Sequence, residues 1–169
     1  MFLSVSRRTD IPAYYSEWFF NRLKEGFCYV QNPMNKKQFS KIIISPEVID
    51  GIVFWTKNPA PMLDKLSLLS DFPYYFQFSI TAYENDLEKN LPSKNSIIET
   101  FKRLSDLIGK EKIIWRYDPI LITPAYTLEK HYRHFEILSK MLHNYTDKVI
   151  FSYVDFYTKI IKNLNELQV

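Results

Sequence analysis

Apolar residues recur along the chain with a period that switches between two and 3.6, so strands and helices alternate. Phe2 to Ser6 reads as a strand, and Tyr14 to Glu25 as a helix closed by Gly26, where a left-handed cap is expected. Phe27 to Gln31 and Phe39 to Ser45 read as two short strands around an Asn32-Pro33 turn. Gly51 to Thr56 is a buried strand, and Asn58-Pro59 then caps a short helix carrying Met62, Leu63, Leu66 and Leu69. Tyr74 to Thr81 is again a strand. Ile97, Ile98, Phe101, Leu104, Leu107 and Ile108 mark an amphipathic helix that Gly109 ends. Leu128, Tyr132, Phe135, Leu138 and Leu142 mark the next helix, and Val149 to Tyr153 the next strand. The tail from Tyr157 places Ile160, Ile161, Leu164 and Leu167 at helical spacing.

The stretch Ile113 to Ile120 is the most informative, because an apolar β-type run ends abruptly in Arg116, Asp118 and Pro119. A strand there puts Ile114, Arg116 and Asp118 on one face and Ile113, Trp115 and Tyr117 on the other. Proline cannot donate to a sheet ladder and pushes the residue before it out of the helical region, so the strand is expected to stop at Pro119.

Strands alternating with helices argue for βαβ units and a mainly parallel sheet, either doubly wound or barrel-like. A complete (β/α)8 barrel takes about 250 residues. The 169 residues here supply five or six units. The expected fold is therefore α/β: a partial or truncated TIM-barrel-like domain over residues 1–169, with five or six mainly parallel strands and a small hairpin insertion. A chain that is 46% apolar and 17% aromatic is able to bury a sizeable core.

A formal charge of +3 is too small to mark a nucleic-acid or membrane surface. Met1 to Ser6 is too short for a leader or a span before Arg7 and Arg8. The single cysteine, Cys28, rules out an internal disulfide and favours the cytoplasm. Three glycines, Gly26, Gly51 and Gly109, rule out a glycine-rich phosphate loop.

Function in parallel sheets sits at the carboxyl ends of strands. The residues there are Arg7, Arg8, Thr9 and Asp10; Lys57 and Asn58; Thr81; Arg116 and Asp118; and Asp155. Lysine serves the ordinary surface of this chain, whereas three of its six arginines fall at these ends. That placement suggests the guanidinium fork is wanted for a carboxylate or phosphate; the alternative is that the arginines cap strands and pair with Asp10, Asp118 and Asp155. Tyr75, Gln77, Ser79 and Thr81 also share one strand face, and a polar inner face implies water or ligand inside a barrel; the alternative is an open antiparallel sheet with its polar face in solvent.

His131 and His134 share a helix face, but without a third ligand they read as surface residues rather than a metal site. His143 reads as a helix C-terminal residue and Cys28 as core. Tyr14, Tyr15, Trp18, Phe19 and Phe20 read as one helix face in a crowded core, with base stacking as the alternative.

Ser6-Arg7-Arg8-Thr9-Asp10-Ile11-Pro12, Asn32-Pro33, Phe54-Trp55-Thr56-Lys57-Asn58-Pro59, Phe76-Gln77-Phe78 and Arg116-Tyr117-Asp118-Pro119-Ile120 together resemble the uncharacterised prokaryotic family called domain of unknown function 1848. The resemblance runs in order over nearly the whole chain. It implies a barrel-like fold similar to that of radical S-adenosylmethionine enzymes, hence an enzyme. It also implies a C-terminal cysteine cluster holding an iron-sulfur centre in full-length members. Cys28 alone cannot ligate such a cluster, which needs three thiolates. The chain is accordingly expected to be the N-terminal part of a longer architecture or a member without the redox end.

The resulting expectation is an anionic small molecule at the carboxyl rim. Arg7, Arg8, Thr9, Lys57, Asn58, Gln77, Thr81 and Arg116 are its contacts, and Asp10, Asp118 and Asp155 the orienting or acid-base groups. No membrane partner is expected and nucleic acid is disfavoured. A nucleic-acid-binding module, or a fragment that only docks onto a partner, stand as alternatives. The tail from Tyr157 is expected to cover an open sheet edge, with a homodimer favoured by apolar surface left over.

Overall fold

Runs of Val, Ile and Phe bounded by glycine, proline and asparagine become strands, and the longer 3.6-period stripes become helices. In the computed structural model, which describes residues 1–6 and 8–155, five strands form a parallel sheet. They are β1 (Phe2–Val5), β4 (Gly51–Thr56), β5 (Tyr74–Ser79), β6 (Ile113–Ile120) and β7 (Lys148–Tyr153), hydrogen-bonded in that order. β2 (Phe27–Gln31) and β3 (Phe39–Ile43) form a separate antiparallel hairpin, in register from Phe27 opposite Ile43 to Gln31 opposite Phe39. Among the described residues the sheet is open, with β1 and β7 as its outermost strands. The α/β class, the parallel sheet and the hairpin are those expected from the sequence. The tail from Tyr157 lies outside the described residues.

The chain divides into two compact units, Met1–Phe76 and Gln77–Val169. In the first, β1 pairs with β4 so that Leu3 and Val5 stand beside Ile52 and Phe54. Asp10 caps α1 (Ile11–Tyr14) by accepting from Ala13 N, and Pro12 sits in its first turn. Tyr15 leaves the helical conformation, φ −134° and ψ 26°, so the helix expected from Tyr14 begins instead at Ser16 as α2 (Ser16–Glu25), and α1 precedes it as a separate turn. Gly26 then takes the left-handed conformation, φ 76°, and ends α2 as expected.

The aromatic cluster from Tyr14 to Phe20 is less buried than the sequence suggests. Phe19 and Phe20 are core, but Tyr14, Tyr15 and Trp18 are 60%, 53% and 44% exposed. Phe54 is the centre of this unit's core: it is fully buried, stacks on Phe76 at 4.7 Å between centroids and meets Phe19 edge-on at 5.3 Å.

The segment after Pro59 is a 3-10 helix, Ala60–Leu69, rather than an α-helix. Leu63, Leu66 and Leu69 are three residues apart, so at three residues per turn they align along one edge, and all three are buried.

In the second unit, Ser93 caps α3 (Lys94–Ile108) and Thr127 caps α4 (Leu128–Leu142), each accepting from a backbone N–H three residues on. Phe78 of β5 meets Phe101 of α3 at 5.1 Å. Trp115 of β6 stacks on Phe135 of α4 at 5.1 Å and donates its Nε1–H to Ile80 O. The expected apolar stripe of α3 is buried apart from Leu107, and that of α4 is displaced. Leu107 of α3, and Leu128 and Tyr132 of α4, are exposed, while His131 is buried in their place.

β6 alternates as expected, burying Ile113, Trp115 and Tyr117. It does not stop at Pro119, however. The Asp118-Pro119 bond is cis, and pairing with β7 resumes at Ile120 opposite Tyr153 after a shift in register. The irregularity takes the residue that has no N–H out of the ladder, so the strand survives its proline.

Phe54→Ala removes the ring that both Phe76 and Phe19 contact, and the expected loss is about 3–5 kcal/mol of stability. Urea unfolding followed by far-UV circular dichroism measures it.

Candidate functional site

In the first unit the backbone turns sharply after β1. Ser6 Oγ accepts from Arg8 N at 3.1 Å and from Thr9 N at 3.4 Å, and Asp10 follows directly. Asp10 spends both carboxylate oxygens on backbone donors: Oδ1 caps α1 through Ala13 N at 3.0 Å, and Oδ2 accepts from Lys57 N at 2.7 Å. The loops that follow β1 and β4 are thereby tied together, and Arg8 is held beside a cavity of about 670 Å³.

This cavity is walled by Leu3 to Ser6 of the β1 region, by Trp18, Phe19 and Arg22 of α2, and by Cys28 to Gln31 of β2. Its walls are mainly apolar, and its charge is supplied by Arg8 and Arg22. Arg22 Nε is buried and, among the described residues, meets no hydrogen-bond acceptor. A buried donor without an acceptor is uncommon in folded proteins and calls for a partner. Cys28 lies within the field of Arg22: burial raises its thiol pKa above the ordinary range, and the guanidinium acts in the opposite direction.

In the second unit a polar row crosses three strands on the face away from α3 and α4. Arg116 Nη1 donates to Gln77 Oε1 at 2.6 Å, and its Nε and Nη2 donate to Asp118 Oδ2 at 3.1 and 2.5 Å. Ser152 Oγ donates to the other oxygen, Asp118 Oδ1. The side chains of Arg116 and Asp118 are only 16% and 18% exposed, so each compensates the other's desolvation. This guanidinium already grips a carboxylate of its own chain.

The sequence-derived residues fall as follows. Arg8, Thr9, Asp10, Lys57 and Asn58 belong to the first unit, where Arg8 lines the cavity and Asp10 is joined to the Lys57 backbone. Asn58 Oδ1 accepts from Ala60 N at 3.2 Å and opens the 3-10 helix. Gln77, Arg116 and Asp118 form the row in the second unit. Thr81 is apart from it, 2% exposed, donating to Glu88 Oε1 at 3.0 Å while Glu88 pairs with Lys94 at 3.3 Å. Asp155 is exposed. Arg7 lies outside the described residues. Arg22 and Tyr29 were not among the sequence candidates, and Trp18 entered only as part of a core helix face with base stacking as the alternative. The available signal was Arg22 itself, an arginine three residues after Phe19 within an apolar helix stripe.

His131 corrects the reading of it as a surface residue: it is 3% exposed. Its Nε2–H donates to Leu121 O at 3.1 Å and its Nδ1 accepts from Tyr117 OH at 2.9 Å. Tyr83 and Tyr126 pack edge-on nearby, and burial pushes both phenols up to about 12. Desolvation lowers the His131 pKa, so the ring is a neutral core group. His143 is the C-terminal cap of α4 and Cys28 is buried, as the sequence suggested.

The iron-sulfur cluster implied by family resemblance does not fit the donors of this chain. It has one thiol, and among the described residues no cluster of three or more His, Cys, Asp or Glu side chains is arranged to hold a metal ion.

A five-stranded parallel α/β sheet with a small antiparallel hairpin and a charged cavity at the end of its first strand defines the class of protein. The chain belongs to the family described as Domain of unknown function (DUF1848), whose sequence model matches residues 2–169. Neither a curated protein nor a solved structure shows significant similarity to it. Among the described residues no helix is long and apolar enough to cross a membrane.

The unfolded His131 imidazole takes up a proton as the pH falls through about 6.5, whereas the buried ring takes it up only at lower pH. In that window the unfolded state binds more protons, so stability falls as the pH drops, by up to about 1.4 kcal/mol per pH unit for one group. Urea unfolding at pH 7.5, 6.5 and 5.5 is expected to show this slope, and His131→Gln to flatten it.

Proposed function

We propose that the cavity beside β1 binds a small anionic molecule, with Arg22 as the inner charge contact and Arg8 as the contact beside the turn. The observation that carries this reading is the buried Arg22 Nε, which meets no acceptor among the described residues, in a cavity whose other walls are mainly apolar. Such a nitrogen has lost its water, and an anion restores the missing bond with a charge-assisted one. Asp10 is a positioning residue in this scheme, because its two oxygens hold the loop that presents Arg8. The small formal charge of +3 supports a compact anion over nucleic acid, whose affinity is dominated by phosphate neutralisation.

Arg116 stays outside the proposed site. Its Nε, Nη1 and Nη2 are directed at Asp118 and Gln77, an arrangement that supports a structural role for that ion pair.

Thermal unfolding of the purified chain with acetate, benzoate or phosphate in place of chloride, at constant ionic strength, tests the proposal. A ligand at a hundred times its Kd stabilises the fold by about 2.7 kcal/mol. At least one anion is expected to raise Tm by several degrees, Arg22→Gln to abolish the shift and Arg8→Gln to reduce it. A Tm insensitive to every anion contradicts the proposal.

A further inference from the structure

Resting on that anion reading, we infer that the cavity takes a planar aromatic carboxylate, its carboxylate on Arg22 and its ring against Trp18.

The space is the first argument. About 670 Å³ lies in the range of cavities that enclose whole organic ligands, roughly 300–1,000 Å³. An inorganic anion needs little more room than one water, about 30 Å³. It would satisfy Arg22 and leave most of the apolar wall wet. An anion with an apolar body fills the same space and removes the exposed surface of Trp18, Tyr29 and Val30 from water.

The rings are the second argument. Trp18 is 44% exposed and Tyr29 62% exposed, yet both line the cavity. They come from different elements, α2 and β2, and large aromatic side chains with free surface on a cavity wall offer broad stacking faces to a flat ligand.

The charge is the third. The Nε–H and one Nη–H of a guanidinium form a side-on pair whose spacing matches the two oxygens of a carboxylate. Arg22 Nε is the donor whose partner is missing. Neutral apolar ligands would fill the cavity and leave that nitrogen unbonded, so the charge discriminates against them.

Isothermal titration calorimetry of the full chain with 2-naphthoate, 2-naphthamide, octanoate and acetate tests the inference. The expected result is binding of 2-naphthoate at least tenfold tighter than each of the other three. Arg22→Gln is expected to weaken it at least tenfold, and Arg8→Gln to weaken it by a smaller factor. Trp18→Phe keeps a ring and is expected to stay within threefold of the unaltered chain, whereas Trp18→Leu weakens binding at least tenfold. Circular dichroism establishes that each variant is folded, and Arg8→Gln carries the charge test if Arg22→Gln is not.

Acetate or octanoate binding as tightly as 2-naphthoate would leave the anion reading standing and overturn the aromatic one, as would undiminished binding in Trp18→Leu. No binding of any carboxylate would overturn the aromatic reading, and the anion reading with it if phosphate also leaves Tm unchanged; equal binding of 2-naphthamide would overturn both.

Discussion

The carboxylate of Asp10 fixes the geometry of the first unit. One oxygen caps α1 and the other holds the backbone of Lys57, so the segments leaving β1 and β4 share a single anchor. Neither oxygen could be lost without freeing a backbone donor, and each bond to an ionised carboxylate contributes about 1.5–3 kcal/mol. Ser6 Oγ accepts from Arg8 N and Thr9 N, and Arg8 lies beside the cavity. In the proposed site Asp10 acts through the segments that it holds.

Arg22 and Arg116 show what a partly buried guanidinium requires. Arg116 is satisfied within its own row: Gln77 takes Nη1, Asp118 takes Nε and Nη2, and Ser152 completes Asp118. Removing one member of such a pair leaves an uncompensated charge, which is why it reads as structure. Arg22 sits in apolar surroundings with its Nε lacking an acceptor among the described residues. The two arginines thus differ in their partners, not in residue type.

The parallel sheet, the hairpin, the Gly26 cap and the alternation of β6 were legible because each rests on local pattern. Period two placed Arg116 and Asp118 on one face, and the structure joins them directly. What escaped depends on contacts distant in sequence. Pro119 argues locally for a strand end, yet β7 pairs beyond it at Tyr153. His131 reads as polar surface until Tyr117 and Leu121 supply both ring partners. The spacing of Leu63, Leu66 and Leu69 suits a 3-10 as well as an α-helix, and sequence alone favours the commoner form. The cavity was the hardest to foresee, since its walls come from β1, α2 and the hairpin, and Arg22 carries no motif.

The claim on which the functional account turns is that Arg22 holds the anion through its buried Nε. Nuclear magnetic resonance of the arginine Nε–Hε groups measures this directly, with Arg22 assigned by its loss in Arg22→Gln. On adding 2-naphthoate, the account expects the Arg22 Nε–Hε signal to move downfield and its exchange with water to slow, while the Arg116 signal, already bonded to Asp118, stays in place. Saturating ligand that leaves the Arg22 signal unmoved would contradict it.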